Sequence, residues 1–571
     1  MIRRGILVIV ALILLSSTIT LVEFSHVVSG NPMMFDELFG EKAPPGITIY
    51  GNGTVDGTDR IIQADDRNYT LTSDISESVT ILRDGIILNG KGHTLHGKSG
   101  QIGIFIQGRN GITITNLGIE GFEYGIKLTW RHYGDYDGRT ITITDNIFRG
   151  NKNAIAFSDH LQGSNITDNG FIANTYCVSG AVGIVFRGNR FIDNEYCMPP
   201  DESNLNEVDS SNMVNNKPVY YWINEQDKTV PSDAGWVVLK NCKNITVQAL
   251  NITRFGGEVQ LYNTTGSTIR ENSLSKSGIS LQKSKGNVIE ENKIMSSLHY
   301  GVSLKSSGEN RIINNQIIDN IEGVHMESCN NNTISQNLLT SNSVAGLYMS
   351  FSYQLNGSSS TTLVSQNVIS KNGIGIHIYS SNSATILLNN ITGNLDWGMK
   401  LENNPKNNSI HHNNFIGNNV TDKLQVCITG FWLQTDNGSS INGKYTPPRK
   451  AFVAGEANNW NNTLDGNYWS DYTPRYPNAT EVGNTSVGNP QYYINENNID
   501  QHPLLAPVDI ADTNLLSPYQ GAASEDIWSG VMQSIPVLLV IASVAIFGLG
   551  LAVFFSKRRR RENLILIQPT N

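Results

Sequence analysis

Histidine, tyrosine and lysine recur at one repeated position of this sequence, where their side chains could act on a ligand. Six successive repeats from the middle of the chain onward each carry a segment of the form Gly-Φ-x-Φ, with Φ an apolar residue, beginning at positions 278, 301, 323, 346, 375 and 398. Position x holds, in chain order, Ser280, Ser303, His325, Tyr348, His377 and Lys400. Rings and charged groups in one row could stack on sugars and hydrogen-bond to them, or ligate a metal.

Alternation along a strand decides where these side chains point. Successive strand residues face opposite sides, so position x belongs to the outer face. His325, Tyr348 and His377 are then expected to be neighbours along one exposed strip, with the histidines about 10 Å apart at two strand spacings. That separation is too large for one ion unless the tyrosine takes part. The strip is therefore either an ordinary polar surface or a binding strip formed by His325, Tyr348, His377 and Lys400.

Two cysteines occupy matching places in consecutive repeats. The segments FIANTYC (171–177) and FIDNEYC (191–197) align in frame and end at Cys177 and Cys197. Strands about 4.8 Å apart would bring their Cα atoms within the usual disulfide range. We predict a Cys177–Cys197 disulfide, with a pair of buried thiols and a copper-binding thiol pair as the alternatives. Cys242 and Cys329 share a column with serine and threonine, which indicates packing.

An acidic loop is the candidate for catalysis. The segment WRHYGDYDGR carries Asp135 and Asp137 between Arg131 and Arg139, and it lengthens the repeat between two asparagines to 30 residues. Projecting loops on rigid scaffolds often carry function, and paired acids can cleave glycosidic bonds. Asp, Gly and Tyr also simply form turns. His93 and His96 lie three apart on a strand, so they are expected on opposite faces and in a structural role.

A repeat of about 22 residues must position these candidates. Its unit is an apolar residue, an asparagine three positions later and a second apolar residue two further on. The asparagines are Asn146, Asn169, Asn189, Asn272, Asn292, Asn315, Asn337, Asn367, Asn389 and Asn413. Short alternating strands at this period predict a parallel β-solenoid, whose stacked coils share one core. We expect the asparagines to occupy left-handed turns and to hydrogen-bond from coil to coil.

Three further blocks carry a family resemblance. They are residues 67–97, residues 216–247, and GNYWSDY (466–472) followed by PLLAP (503–507). With the asparagine repeats, they resemble the NosD-like proteins of the right-handed parallel β-helix family, in the pectate-lyase-like superfamily, over residues 60–507. The resemblance implies a single-stranded right-handed β-helix and a factor for copper-site assembly outside the membrane. It also implies the fold on which polysaccharide lyases and hydrolases occur.

The resemblance breaks after GNYWSDY. NosD-like chains usually continue with an Asp/Gly-rich loop suited to a hard cation, whereas this chain reads TPRYPNATEVGNTSVGNPQYYI. Asp465, Asp471 and Asp500 remain nearby, so the segment is either a calcium site or a structural cap over the last coil. No cofactor is predicted and no metal ligand is assigned; calcium and copper stay open as alternatives.

Both ends of the chain predict export and a membrane anchor. Residues 1–30 read as a secretory signal or an uncleaved signal anchor. Residues 527–555 contain no charge and are long enough to span a bilayer, and the basic tail 556–571 follows. Because basic residues favour the cytoplasmic side, we expect a cell-surface protein with an external N-terminal domain and a cytoplasmic C-terminus, like a type I membrane protein.

The external part is acidic and rich in sequons. Without residues 1–30 and 527–571, it holds 34 basic and 48 acidic residues, which disfavours nucleic-acid binding. The fifteen Asn-x-Ser/Thr sequons are predicted glycosylation sites. They begin at Asn52, Asn68, Asn165, Asn244, Asn251, Asn263, Asn331, Asn356, Asn390, Asn407, Asn419, Asn437, Asn461, Asn478 and Asn484.

The domain organisation and function follow from these features. We predict a lead-in (31–59), a β-helix (60–425) with an insertion or hairpin at 198–235, an extension (426–507), a tether (508–526) and the spanning helix. The leading functional interpretation is a non-catalytic, membrane-anchored surface protein that binds glycans or envelope proteins. A polysaccharide lyase or glycoside hydrolase, and a copper-site assembly factor, are the alternatives.

Overall fold

A computed structural model describes most of the region between the two chain ends. The described residues are 43–129, 140–157, 163–197, 206–253, 256–350, 362–418, 425–429, 431–434, 439–441, 444–446, 450–453 and 457–511. The chain up to Ala506 forms one compact unit, and 507–511 are the described part of a second unit, Pro507–Asn571. No helix within these ranges is long and apolar enough to cross a membrane. The predicted signal (1–30), spanning helix (527–555) and basic tail lie outside them.

The fold is an all-β, right-handed parallel solenoid of about 14 turns. It has two successive parts, a first segment (46–214) and a second segment (217–428), each with three sheets running along its length. Sheets A and B belong to the first segment, sheets D and E to the second, and the 16-stranded sheet C continues through both.

The strands of the first segment are as follows. Sheet A contains Gly46–Ile49, Val55–Asp56, Ser78–Ile81, Ile102–Gln107, Tyr124–Thr129, Asn153–Phe157 and Tyr176–Ser179. Sheet B contains Ile61–Gln63, Asn68–Leu71, Ile87–Asn89, Ile112–Thr115, Ile141–Thr144, Ser164–Thr167, Ile184–Arg187 and Glu207–Val208. The first part of sheet C contains Thr94–His96, Gly118–Glu120, Ile147–Arg149, Gly170–Ile172, Arg190–Ile192 and Met213–Val214.

The second segment continues sheet C and adds two sheets. Sheet C goes on with Lys217–Ile223, Trp236–Lys240, Val259–Tyr262, Ile279–Gln282, Tyr300–Lys305, Glu322–Glu327, Ala345–Ser350, Ile374–Tyr379, Trp397–Glu402 and Val426–Ile428. Sheet D contains Thr246–Gln248, Thr268–Arg270, Val288–Glu290, Arg311–Ile313, Thr333–Ser335, Leu363–Ser365, Thr385–Leu387 and Ser409–His411. Sheet E contains Asn251–Ile252, Ser273–Ser275, Lys293–Met295, Gln316–Ile318, Leu338–Thr340, Val368–Ser370, Asn390–Thr392, Asn414–Ile416 and Tyr468–Trp469.

Four hairpins and one helical turn complete the C-terminal part. The hairpins pair Phe431–Gln434 with Lys450–Val453, Ser439–Ile441 with Lys444–Thr446, Thr480–Glu481 with Gly488–Asn489, and Tyr492–Asn495 with Asn498–Asp500. The helical turn is Tyr472–Arg475.

The asparagine ladder forms as predicted, with one correction. Asn315 is buried, and its Oδ1 accepts hydrogen bonds from both the backbone N and Nδ2 of Asn292 at 3.0 and 2.9 Å. Its Nδ2 donates to the carbonyl oxygens of Ile289 and Ile313. The left-handed residue is the preceding one, Asn314 (φ 56°), and not the ladder asparagine. The ladder side chain must point inward to satisfy the backbone at the corner, so its neighbour makes the turn.

Further ladders run along the other corners of the coil. In the second segment, Asn287, Asn310 and Asn332 form one, and Asn320, Asn342, Asn372, Asn394 and Asn418 form another. Asn310, Asn315 and Asn320 lie five residues apart, so each marks one corner of the same coil. Of these ladders, only the middle one was predicted from the sequence.

The two segments keep their cores on opposite faces of sheet C. Met213–Val214 and Lys217–Ile223 form an antiparallel hairpin whose turn residues, Asn215 and Asn216, both have positive φ, as a type I′ turn requires. Beyond it, Trp236 and Val238 face the first core, while Val237 and Leu239 of the same strand face the second. Reversing the strand direction keeps the coil right-handed only if the core changes sides.

The structure refines the predicted boundaries. Gly46–Ile49 pairs in parallel with Ser78–Ile81, so the first coil begins inside the predicted lead-in rather than at residue 60. The hairpin predicted within 198–235 is present, but it extends sheet C instead of lying beside the helix. The predicted extension contributes Tyr468–Trp469 to sheet E, so part of it belongs to the solenoid.

The segment after GNYWSDY caps the last coil. The Trp469 ring stacks between Phe415 and Tyr492 at 4.5 and 4.2 Å. Asn467 continues the ladder from Asn413, and its backbone N donates to Asp500 Oδ2 at 2.7 Å. Burial raises the pKa of Asp500 to about 7, although the hydrogen bonds from Asn467 and Trp469 oppose the shift. Asp500 therefore has a structural role at the end of the ladder.

Candidate functional site

The predicted row of position-x residues forms one strip on the outer face of sheet C. Strand pairing aligns each member with the next, from the Val259–Tyr262 strand to the Val426–Ile428 strand. We call this row the outer strip; its members are Gln260, Ser280, Ser303, His325, Tyr348, His377, Lys400 and Cys427. Their neighbours in each strand are buried in the second core, which confirms the outward direction expected from alternation.

His325 is held by a carboxylate and a ring. Its Nδ1 lies 2.6 Å from Glu322 Oε2, and the two side chains are only 16% and 13% exposed. The Tyr300 ring stacks on the imidazole with centroids 4.1 Å apart. Since a carboxylate accepts, Nδ1 is the donor in this pair, and Nε2 is the ring nitrogen left to meet a ligand.

His377 forms a second pair, with Glu402. Nε2 of His377 donates to Glu402 Oε2 at 3.0 Å, and Lys400 Nζ lies 2.6 Å from the same oxygen. Burial, followed by the charge of Lys400, lowers the pKa of His377. Burial works to raise the pKa of Glu402, but the hydrogen bond and charge of Lys400 outweigh it and the pKa falls. The pair therefore holds a neutral imidazole against an ionised carboxylate near neutral pH.

Tyr348 lies between the two His–Glu pairs. Its ring stacks on His325 at 5.0 Å and meets His377 edge to face at 5.1 Å. Burial raises the pKa of Tyr348 to about 12, so the phenol stays protonated near neutral pH and can donate a hydrogen bond. Tyr300, His325, Tyr348 and His377 thus form a continuous row of rings.

Sequence reasoning missed the residues that flank the strip. Tyr300, Glu322 and Trp397 each directly precede the glycine of Gly-Φ-x-Φ, and Glu402 follows Lys400 by two positions. Period-two alternation puts position x+2 on the same face as x, so Glu402 could have been found from the sequence. The contact between Glu322 and His325 depends on side-chain conformation and carries no such signal.

Cys177 and Cys197 are neighbours, as their matching positions in consecutive repeats predicted. Cys177 N donates to Tyr196 O at 2.9 Å, and both side chains are buried free thiols in the structure. Burial, followed by a hydrogen bond with Cys197, raises the pKa of Cys177. The disulfide stays a prediction. In the small-residue column, Cys242 is buried in the second core, as its predicted packing role requires, and its backbone N donates to Thr264 Oγ1.

The other candidates have different outcomes. Asp135, Asp137, Arg131 and Arg139 lie outside the described residues. His93 and His96 were expected on opposite faces, but both approach Asp74, at 3.4 and 3.6 Å, because His93 precedes the strand Thr94–His96 in a turn. Among the sequons, Asn356, Asn419 and Asn437 lie outside the described residues; the others are exposed or half-buried.

One protein-family model matches the chain. The family is NosD, described as periplasmic copper-binding protein, and the match covers residues 52–232 and 243–447. No curated protein matches the sequence.

Several solved structures are similar at low identity. The periplasmic alginate epimerase AlgG is 12% identical, with 60% of this chain and 79% of that chain covered and a TM-score of 0.22. A mannuronan C-5 epimerase A-module from Azotobacter vinelandii is 12% identical, with 63% and 84% covered and a TM-score of 0.23. Tailspike protein 3 of bacteriophage CBA120 is 11% identical, with 61% and 56% covered and a TM-score of 0.25.

The family description raises the question of copper. Copper prefers imidazole, thioether and thiolate ligands arranged around one point. Within the described part of the chain, no group of three or more His, Cys, Asp or Glu residues could hold a metal ion. On the outer strip, each histidine is already bonded to a glutamate, and Tyr348 separates them. The described residues do not fit a multi-ligand copper centre.

Proposed function

This chain belongs to the NosD family of periplasmic copper-binding proteins, and we propose that its outer strip binds a saccharide chain. The observation that carries the proposal is the row of rings from Tyr300 to His377 with a His–Glu pair on each side of Tyr348. Aromatic faces pack against the C–H faces of sugar rings, while the oriented polar groups hydrogen-bond to hydroxyls.

The spacing of the strip supports this ligand class. Adjacent members are one strand apart, about 4.8 Å, which is close to the length that one hexose adds to an extended glycan. A saccharide lying along the solenoid axis would therefore meet an equivalent position at each sugar. The side chains are also restrained beforehand, because Glu322 and Glu402 fix the two imidazoles, which lowers the entropic cost of binding.

The first experiment is a glycan array with the purified full chain, followed by calorimetric titration of each glycan that binds. A reducing-sugar assay on the same glycans separates binding from cleavage. Saturable binding without product release is the expected result. A full chain that binds no glycan on the array would contradict the proposal.

A carbohydrate-active enzyme is the second candidate, favoured by the two His–Glu pairs. Imidazole and carboxyl groups in contact can transfer protons to and from a sugar, as a polysaccharide lyase or glycoside hydrolase requires. If the chain is such an enzyme, the wild type should release reducing ends or unsaturated sugars from a bound glycan, and His377→Gln should not. A wild-type chain that binds a glycan and leaves it intact rules against this candidate.

We also propose that the chain acts at the cell surface, anchored by residues 527–555. The support is sequence alone: the uncharged span followed by basic residues. Neighbouring envelope glycans or glycoproteins would then be the partners. Protease treatment of intact cells should degrade the solenoid and leave the C-terminal tail protected; an untouched solenoid would place it inside.

A further inference from the structure

The outer strip ends in a cavity at the junction of the two segments. Glu195 and Tyr196 of the first segment, together with Glu258, Ser280 and Ser303 of the second, line a cavity of about 240 Å³. We call this cavity the junction pocket. Other lining residues are Lys276, Ser277, His299 and Tyr300. The pocket adjoins the first members of the strip, so a ligand on the strip would extend into it.

The first segment closes this end of the strip. The strand before the strip, Trp236–Lys240, pairs Val238 with Gln260, and Val238 is buried in the first core. In the pocket wall, a Cβ added to Gly256 would lie 2.7 Å from Cys197 Sγ and 2.9 Å from Asn194 O, so the two segments are in close contact there. At the rim, the Tyr196 hydroxyl contacts His299 Nε2, with their rings 5.7 Å apart. A saccharide therefore cannot continue past Gln260.

The pocket presents acceptors that hydroxyl groups can satisfy. Glu195 and Glu258 line it with carboxyl oxygens, and Ser280 and Ser303 line it with hydroxyl groups. Gln260 does not line the pocket, but its Nε2 donates to Glu258 Oε2 at 2.6 Å and so orients that carboxyl group. Two carboxyl groups, of Glu195 and Glu258, line the pocket against one ammonium group, of Lys276, so the lining favours an uncharged sugar over an anionic one.

We propose that the junction pocket receives one end of the saccharide chain and that the terminal unit is an uncharged, hydroxyl-rich sugar. This inference rests on the proposed function of the outer strip and adds a mode of recognition. The chain is bound by its end, with the terminal sugar against Glu258 and Ser280 and the following sugars along Ser303, His325 and Tyr348. A strip open at both ends would bind internal stretches equally well.

The test uses the full chain and four neutral hexasaccharides: maltohexaose, cellohexaose, chitohexaose and mannohexaose. Each is titrated unmodified, with its reducing end converted to an alditol, and with its non-reducing end blocked by a bulky ether. We expect at least one hexasaccharide to bind, and one of the two end modifications to weaken it by about tenfold or more, equal to about 1.4 kcal/mol.

Variants assign that end dependence to the pocket. Glu258→Gln keeps the side-chain volume and an acceptor for Gln260 but removes a carboxyl group from the pocket lining, so it should fold and lose the preference between unmodified and end-blocked sugar. Glu290→Gln, the same exchange at a residue of sheet D that does not line the pocket, should keep the preference. His377→Ala should weaken all forms alike.

The outcomes separate the two proposals. Equal affinity for unmodified and both end-blocked hexasaccharides, with His377→Ala still weakening binding, would overturn chain-end recognition and leave the saccharide strip intact. An end preference that survives Glu258→Gln would also overturn it. Absence of binding for all four sugars and across the glycan array would overturn both.

Discussion

The two solenoid segments share one coil design and differ in what they turn outward. In the first segment, the row at the same position of the repeat lies in sheet A and holds Phe105, Lys127, Ala156 and Ser179. Two of these residues, Phe105 and Ala156, are buried. In the second, the same row presents His325, Tyr348 and His377 with their glutamate partners. Coil geometry depends on inward positions, so the outward row is free to differ between segments without changing the fold.

The cores also differ in composition. In the first segment, Phe148, Phe171 and Phe191 stack along the axis at 5.0 and 4.9 Å. The equivalent column of the second segment is aliphatic from Leu274 to Ile391 and becomes aromatic only at Phe415. Larger side chains bury more apolar surface per coil, so the first segment is expected to depend more strongly on single core residues.

The largest expected effect is on the aromatic core. Phe171→Ala should lower the free energy of unfolding by about 3–5 kcal/mol, and Leu339→Ala in the second segment by about 2–5 kcal/mol. Phe171→Ala should be the more damaging, because it also interrupts a ring stack. Urea denaturation of both variants measures the two losses in the free energy of unfolding. A smaller loss for Phe171→Ala than for Leu339→Ala would contradict the account.

The asparagine ladders should contribute equally to the free energy of unfolding in the two segments. Asn315→Ala and Asn169→Ala each leave buried backbone groups without partners, for example Ile289 O and Ile143 O. We expect each to cost about 3 kcal/mol, since each unsatisfied buried group costs about 1–3 kcal/mol. Asn251→Ala, at an exposed strand position, is the control, with a change within about 0.5 kcal/mol. A loss in only one segment would show that its ladder has a different role.

Binding along the outer strip should depend on the second segment and not on the equivalent row of the first. His377→Ala removes a side chain that is hydrogen-bonded to Glu402, and it should weaken saccharide binding by about 10- to 100-fold, the equivalent of about 1.4–2.8 kcal/mol. Lys127→Ala, in the equivalent row of the first segment, should leave the affinity unchanged. Titration calorimetry with one bound glycan compares them. Equal losses in the two variants would remove the functional distinction between the segments.

The smallest expected effect is a pH dependence of stability, which arises from the residue at which an asparagine ladder ends. The first-segment ladder ends at Asn212, whereas the second ends at the carboxyl group of Asp500. The folded-state pKa of Asp500, about 7, lies above the usual 3.8, so its contribution is present at low pH and is lost as pH rises through 7. Between pH 6 and 8, this should lower the free energy of unfolding by roughly 1 kcal/mol. Asp500→Asn should remove that difference; an unchanged pH dependence in the variant would contradict it.

The residues that face the solenoid core could be predicted from the sequence. The spacing of Ile312, Asn315 and Ile317 recurs from coil to coil, so it determines the register, and alternation then placed His325 and His377 outward. The ladder asparagines were assigned the wrong backbone conformation, because the left-handed residue varies in type: Glu291, Asn314, Gln336 and Leu388 all occupy it.

The junction could not be predicted in the same way. The Asn215–Asn216 turn is readable as a hairpin, but the change of core face depends on which strand the hairpin pairs with. The positions of Glu258, Tyr196 and His299 around one pocket follow from that pairing, between residues up to 103 apart in sequence. Local patterns carry no information about such contacts.

The most direct measurement is the location of bound saccharide on the full chain. A photoreactive derivative of a glycan that binds would be cross-linked and mapped by mass spectrometry of proteolytic peptides. We predict cross-links in Glu322–Glu327, Ala345–Ser350, Ile374–Tyr379 and Trp397–Glu402, all competed by the unmodified glycan. Competed cross-links confined to the first segment, or to sheets D and E, would contradict a binding role for the outer strip.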